Sequence, residues 1–178
     1  GMEMHDFVKK YTKDLKTAEV ERLSWLVNKC FYLDSLPFED VKEIFFSDGD
    51  ILNFIVEDKW RTIALFQAKD LPKVDSVYFF SASVHPCYRG KGIFSDAVEY
   101  RLQHYRERGR KYAGARSMNP RVMETLVRRG FYLPEKENPE LLRKAKEILT
   151  EVEGSDLGIR DDFVIPRKNT ARYPNVMD

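Results

Sequence analysis

Little in this sequence suits a metal, a disulfide framework or a membrane. It has 2 cysteines, Cys30 and Cys87, among 178 residues, with no CxxC and no Cys/His cluster. That leaves neither paired thiols for a disulfide scaffold nor the ligand spacing of a zinc site, so no metal is expected. No apolar run approaches the roughly 18 residues of a spanning helix, and no signal-peptide pattern opens the chain. The expectation is a cytoplasmic protein with reduced thiols and no membrane partner. (Gly1 before Met2 reads as the remnant of an expression tag.) Repeats, low-complexity tracts and a Pro/Gly/Ser linker are absent too, which suits one domain over residues 2–178. Two nucleotide motifs are also absent: there is no G-x-x-x-x-G-K-[ST], and no G-x-G-x-x-G with an acidic residue about 20 positions on.

What is present is an ordinary globular composition, 43% hydrophobic and 33% charged, with an uneven distribution of charge. The formal net charge is +1, but residues 2–80 carry 11 basic against 15 acidic side chains. Residues 89–129 carry 11 against 4, and residues 130–178 carry 8 against 10. The one strongly basic segment suggests a polyanionic ligand, although a solvated helix face accounts for part of it.

Periodicity orders the chain as β-α-α-β-β-β-turn-α-β-α-β with a further helix and strand. A short first strand falls at 7–11. Thr17 stands as N-cap before a helix with Val20, Leu23, Leu26/Val27 and Cys30/Phe31 at helical spacing. "FEDVKEIFFS" reads as a second helix, and 51–58 with 60–68 as a hairpin. Residues 74–84 form a strand that Pro86 ends. The next helix carries Phe94, Ala97/Val98, Arg101/Leu102 and Tyr105 on one face, with Gly109 beyond its end. A strand in "KYAGARSM" leads to "NPRVMETLVRRG", with Asn119 as N-cap, Pro120 at the first helical position and Gly130 past the end. "FYLP", a helix over 139–153 and "DDFVIP" complete a mixed, mostly antiparallel sheet covered by helices, an α/β layered domain.

"VHPCYRGKGIFSD" is the stretch that carries chemistry. It joins a strand to a helix through two glycines interleaved with Arg89 and Lys91. The first N–H groups of a helix have no internal partner and lie at the positive end of its dipole. Gly90 and Gly92 let the backbone bend freely and approach an anion closely. A plain tight β-to-α turn is the competing reading, and the turn alone does not decide between them.

"SVHPCYRGKGIF" resembles the signature V-x-P-x-Y-R-G-x-G-I-x of the GNAT-type N-acetyltransferases. The family's Q/R-x-x-G-x-G/A core falls on Arg89, Gly92 and Phe94, with Phe94 in place of the usual small residue. Its second region, N-x-x-A-x-x-x-Y-x-x-x-G-F, is met by Asn119, Gly130 and Phe131. The element order matches over residues 7–134, leaving 135–178 as a C-terminal extension that either caps the acceptor site or mediates a homodimer. The resemblance implies acetyl-CoA as acetyl donor, its diphosphate held by the N–H groups of Arg89, Gly90, Lys91, Gly92, Ile93, Phe94 and Ser95. It also implies that exposed main chain at Ala82 and Val84 pairs with the pantetheine and polarises the thioester carbonyl. Asn119 has two readings, a contact to the cofactor arm and a helix cap.

The catalytic groups depart from the family. Its usual general-acid Tyr is here Leu126, which has no proton to give. Tyr132 and Tyr88 are the nearby substitutes, and each also reads as a packing residue. The family's carboxylate base is absent between 76 and 88. Ser81, Ser83 and His85 share a strand face, and His85, with an ordinary pKa near 6.5, is the candidate to take a proton. Glu57 and Asp58 are weaker candidates. Phe31, Tyr32, Phe38, Phe45 and Phe46 border an acceptor pocket in the family; their other reading is core. The expected activity is transfer of an acetyl group to a primary amine of a small molecule or peptide, in a ternary complex. The alternatives are a CoA-binding regulatory module without turnover and a nucleic-acid binder. The net acidity elsewhere and the lack of a known motif count against the second of these, so no nucleic acid is expected.

Overall fold

The computed structural model describes residues 6–30, 37–133, 138–159 and 163–166. Its strands are β1 (Val8–Tyr11), β2 (Leu52–Asp58), β3 (Arg61–Leu71), β4 (Ser76–Val84), β5 (Tyr112–Arg116), β6 (Phe131–Tyr132) and β7 (Phe163–Pro166). Its helices are α1 (Thr17–Cys30), α2 (Phe38–Phe46), α3 (Ile93–Arg106), α4 (Pro120–Arg128) and α5 (Pro139–Glu153). The strand order in the seven-stranded sheet is β1-β2-β3-β4-β5-β7-β6, mostly antiparallel. The chain divides into two compact units, Gly1–Lys69 with Ser81–Ala97 and Asp70–Phe80 with Val98–Asp178. Both β4 and α3 run from one into the other.

In the first unit, Leu23, Leu26 and Val27 form the inner stripe of α1 and meet Val41 of α2, Ile55 of β2 and Leu65 of β3. The spacing of three and four is that of an amphipathic helix with one buried face. Thr17 is the first helical residue, not the cap. The Glu19 carboxylate reaches back instead and accepts from the Lys16 N–H at 3.0 Å, the return half of a capping box. The hairpin turn passes through Lys59 at φ 58°, and β3 runs three residues beyond the expected Ala68.

In the second unit, residues 76–79 of β4 pair in parallel with 112–115 of β5. A parallel neighbour needs a long crossover, and α3 supplies it. Pro72–Val74 is a 3₁₀ turn and Asp75 is left-handed, so β4 begins two residues later than the apolar run suggests. The late strand β7 is inserted between β5 and β6 rather than appended outside them. Leu141, Ala145, Ile148 and Leu149 of α5 cover Tyr78, Tyr112 and Phe163. Gly114 fits under them because a Cβ there would stand 3.0 Å from Phe163 and 3.3 Å from Ile148.

Candidate anion-binding turn and acyl-transfer site

β4 changes character along its length. Residues 76–79, which ladder with β5, are buried, whereas Phe80, Ser81, Ala82 and Val84 beyond the ladder are half-buried. A strand end freed from one neighbour keeps main-chain groups to offer elsewhere. That end leads through the 3₁₀ turn Pro86–Tyr88 into the glycine turn and α3.

The glycine turn is built as the sequence implied. Gly90 and Gly92 stand at φ 77° and φ 80°, a region costly for residues with a Cβ. The main-chain N–H groups of Gly90, Lys91, Gly92, Ile93 and Phe94 have no partner among the described residues; the first helical bond is Asp96 N–H to Gly92 O, at 2.9 Å. Gly90, Lys91 and Gly92 are exposed, while the Ile93 side chain is buried. Phe94 turns its ring to Phe66, centroids 6.2 Å apart, so its bulk leaves its N–H unobstructed by its own side chain. Ser95 follows in the first turn of α3, partly buried.

The two basic side chains of the turn are placed differently. Lys91 lies over the Tyr88 ring at 5.5 Å. Arg89 folds back: its Nε donates to Val84 O at 3.0 Å and its Nη2 to Cys30 O at 3.4 Å. The Cys30 thiol donates to the same Val84 oxygen at 3.3 Å, and burial pushes its pKa up. This latch ties the end of α1 to the end of β4. Tyr88 donates to Asp58 at 2.7 Å, which pushes its phenol pKa up.

His85 is 5% exposed. Its N–H donates to Ile63 O at 2.8 Å, and its Nδ1 accepts from the Cys87 N–H at 3.1 Å. Burial first, then the charges of Lys29, Arg61 and Arg89, lowers its pKa. The imidazole is therefore neutral at pH 7, and an acceptor Nδ1 places its proton on Nε2. In this state the ring offers a donor, not a base. Ser83 is buried, and its hydroxyl has no partner among the described residues.

Two of the sequence candidates belong to the second unit. The Asn119 side chain accepts from the Arg121 N–H at 3.0 Å and so caps α4. Tyr132 packs on the α5 core cluster. Leu126, in the place of the family's acid, is 2% exposed in α4. Of the aromatic group, Phe45 and Phe46 pack against the first unit's core and Phe38 sits under Lys42 at 5.0 Å. Phe31 and Tyr32 lie outside the described residues. Among the described residues no group of three His, Cys, Asp or Glu is arranged to hold a metal, and no helix is long and apolar enough to cross a membrane.

Sequence reasoning missed a chain of polar side chains in the first unit. The Ser81 hydroxyl donates to Gln67 Oε1 at 2.7 Å, Gln67 Nε2 donates to Asn53 Oδ1 at 2.9 Å, and Asn53 Nδ2 donates to Thr12 Oγ1 at 2.9 Å. Gln67 and Asn53 are buried. The signal was present as one amide in each of the apolar runs "ILNFIVED" and "TIALFQA".

The sequence matches no protein-family model, and no curated protein matches it. Solved structures do match. GCN5 of Tetrahymena superposes with a TM-score of 0.69 at 14% identity, over 96% of this chain and 99% of that one. The ribosomal-protein-S18-alanine N-acetyltransferase of Escherichia coli gives 0.58 at 13%, over 97% and 99%. A spermidine N-acetyltransferase chimera from Vibrio cholerae and hSSAT gives 0.56 at 16%, over 72% and 81%. The chain has the GNAT-type acetyltransferase fold. At these identities the likeness is one of fold. Chemistry on this GNAT-type scaffold has to be argued from its own residues.

Proposed function

We propose that the protein is an N-acetyltransferase that moves an acetyl group from acetyl-CoA to a primary amine by direct attack in a ternary complex. The observation that carries this reading is the row of N–H groups at residues 90–94, three of them on exposed residues, at the head of a 14-residue helix and with no partner among the described residues. A diphosphate satisfies such donors together with the helix dipole, and the two glycines leave no Cβ in its way. When bound, acetyl-CoA supplies the activated thioester. The Val84 carbonyl oxygen is taken by Arg89 and Cys30. In this reading the half-buried end of β4 therefore meets the pantetheine arm through the main chain of Ala82 and the N–H of Val84, and an N–H there stabilises charge that develops on the thioester carbonyl oxygen.

Proton handling differs from the family pattern. Buried Leu126 leaves no acid at its position, so the thiolate departs unprotonated or takes its proton from water. Neutral His85, with Nδ1 committed to Cys87, takes no proton at Nε2 unless that bond breaks. An alkyl amine of pKa about 10.4 is charged at pH 7 by some three orders of magnitude. Without an enzymic base, kcat rises through pH 8–10 instead of levelling near neutrality. Buried Leu126 also favours a second reading, a CoA-binding module with weak turnover.

The test is a melting curve with acetyl-CoA, followed by thiol release with amines. At about 100 times its dissociation constant a ligand adds roughly 2.7 kcal/mol, or about 5–10 °C for a chain of this length. A shift with acetyl-CoA and CoA, none with NAD, and amine-dependent thiol release support the enzyme. A shift without release supports the module, and no shift refutes both.

A further inference from the structure

The polar chain beneath β4 has a fixed direction. Gln67 Nε2 is identified as nitrogen by its second contact, the Phe45 carbonyl at 2.8 Å, which can only accept. Asn53 Nδ2 is fixed likewise by the Lys10 carbonyl at 3.1 Å. The chain ends at Thr12, whose hydroxyl donates to Ile51 O at 3.3 Å. With both amides locked, Gln67 presents its oxygen to Ser81, so the Ser81 proton is committed downward. A serine normally donates or accepts as its neighbour requires. Here only the accepting side of Oγ remains, on a half-buried residue next to Ala82 in the open part of β4.

We infer that Ser81 is a positioning residue for the acceptor: its Oγ accepts a hydrogen bond from the N–H of the attacking primary amine. This rests on the acetyltransferase reading above. The nitrogen gains positive charge as it attacks, so its N–H becomes a stronger donor, and hydrogen bonds from charged donors are about twice as strong as neutral ones. An obligate acceptor thus favours an amine over a group with no hydrogen to give. The same geometry excludes Ser81 as proton donor to the departing thiolate. The pantetheine amide is the other N–H that this oxygen suits, but main-chain groups of β4 serve that arm, which leaves the side chain for the acceptor.

The experiment compares wild type, Ser81→Ala and Ser81→Thr by thiol release, with 2-phenylethylamine, spermidine, L-lysine and tyrosine amide as acceptors, and by acetyl-CoA melting shift. The expected result for S81A is a fall of about tenfold in kcat/KM for each amine turned over, the factor one ordinary hydrogen bond supplies. The acetyl-CoA KM and melting shift stay within twofold of wild type, and S81T, which keeps the hydroxyl, recovers most of the loss. Unchanged amine kinetics in S81A overturns the inference, as does a rise confined to the acetyl-CoA KM, which assigns Ser81 to the pantetheine. A wild type that acetyl-CoA does not stabilise brings down the acetyltransferase reading itself, a failure distinct from these.

Discussion

Four helical segments among the described residues begin at an X-Pro step, and three of them close their own start; the 3₁₀ turn at Pro72, after Leu71, has no side-chain cap. The His85, Asn119 and Asn138 side chains accept from the N–H two residues on, in Cys87, Arg121 and Glu140 respectively. The 14-residue helix α3 begins on Gly92, which has no side chain to do this, and five N–H groups before and in its first turn have no partner among the described residues. A cap is worth about 1 kcal/mol, so an uncapped 14-residue helix forgoes easy stability. The contrast sets α3 apart from the three self-capped starts, although α2, behind Pro37, and the turn behind Leu71 also lack a side-chain cap. In the acetyltransferase reading proposed above, the donors of α3 are the ones that meet the diphosphate.

The comparison breaks most sharply with Gly92→Asp. Aspartate tolerates positive φ better than most residues and supplies the missing cap, but its carboxylate occupies and repels the anion. Loss of at least 100-fold in acetyl-CoA affinity is expected by calorimetry, with the unliganded melting temperature within a few degrees of wild type. Unaltered affinity would remove the turn from the site. Next come two glycines of opposite kind. Gly114→Ala overpacks against Phe163 and Ile148 and should cost about 1–3 kcal/mol, or about 3–10 °C of melting temperature. Gly90→Ala meets no atom within 4 Å, so only its φ is strained and the loss is about 1 kcal/mol. Equal losses would contradict this account of the two sites.

Opening a closed start is a smaller change. Asn119→Ala should cost about 1 kcal/mol, or about 2–4 °C, and leave the acetyl-CoA KM unaltered if capping is its whole task. A raised KM would restore Asn119 to the cofactor arm. Smallest is a pH effect. His85 has a folded pKa below its usual 6.5, so the unfolded chain binds the proton more readily. The stability it contributes is complete above pH 6.5 and declines as pH falls toward the lowered value, because a protonated Nδ1 no longer accepts from Cys87. His85→Asn keeps an acceptor that does not titrate, and melting followed from pH 7.5 to 5 should show a shallower decline than wild type. Parallel curves would dismiss His85 as the source.

The glycine turn, the element order and the Asn119-Pro120 start were legible because each depends on neighbours in sequence: φ preferences, caps and periodicity act within a few residues. Phe94 was readable too, since its place in the apolar period of α3 turns the ring inward. The direction of Ser81 was not. It depends on Phe45 and Lys10 carbonyls far along the chain, which fix two amides that in turn fix a hydroxyl. The His85 tautomer escaped for a subtler reason, because the bond that decides it is local but made by a 3₁₀ turn that the sequence showed only as a proline. Insertion of β7 between β5 and β6 is a matter of long-range pairing, which period-two patterns do not rank.

The latch at Arg89 has an electrostatic consequence. Its guanidinium is held by two carbonyl oxygens, and no carboxylate pairs with it among the described residues. Dipoles fix the group's position while leaving its full unit charge uncancelled. The turn therefore projects a standing field that reaches about 8–10 Å into physiological salt, enough to steer a multiply charged molecule such as the proposed cosubstrate before any donor touches it. Encounter should accordingly slow as ionic strength rises, while the strength of the final grip depends on the amides.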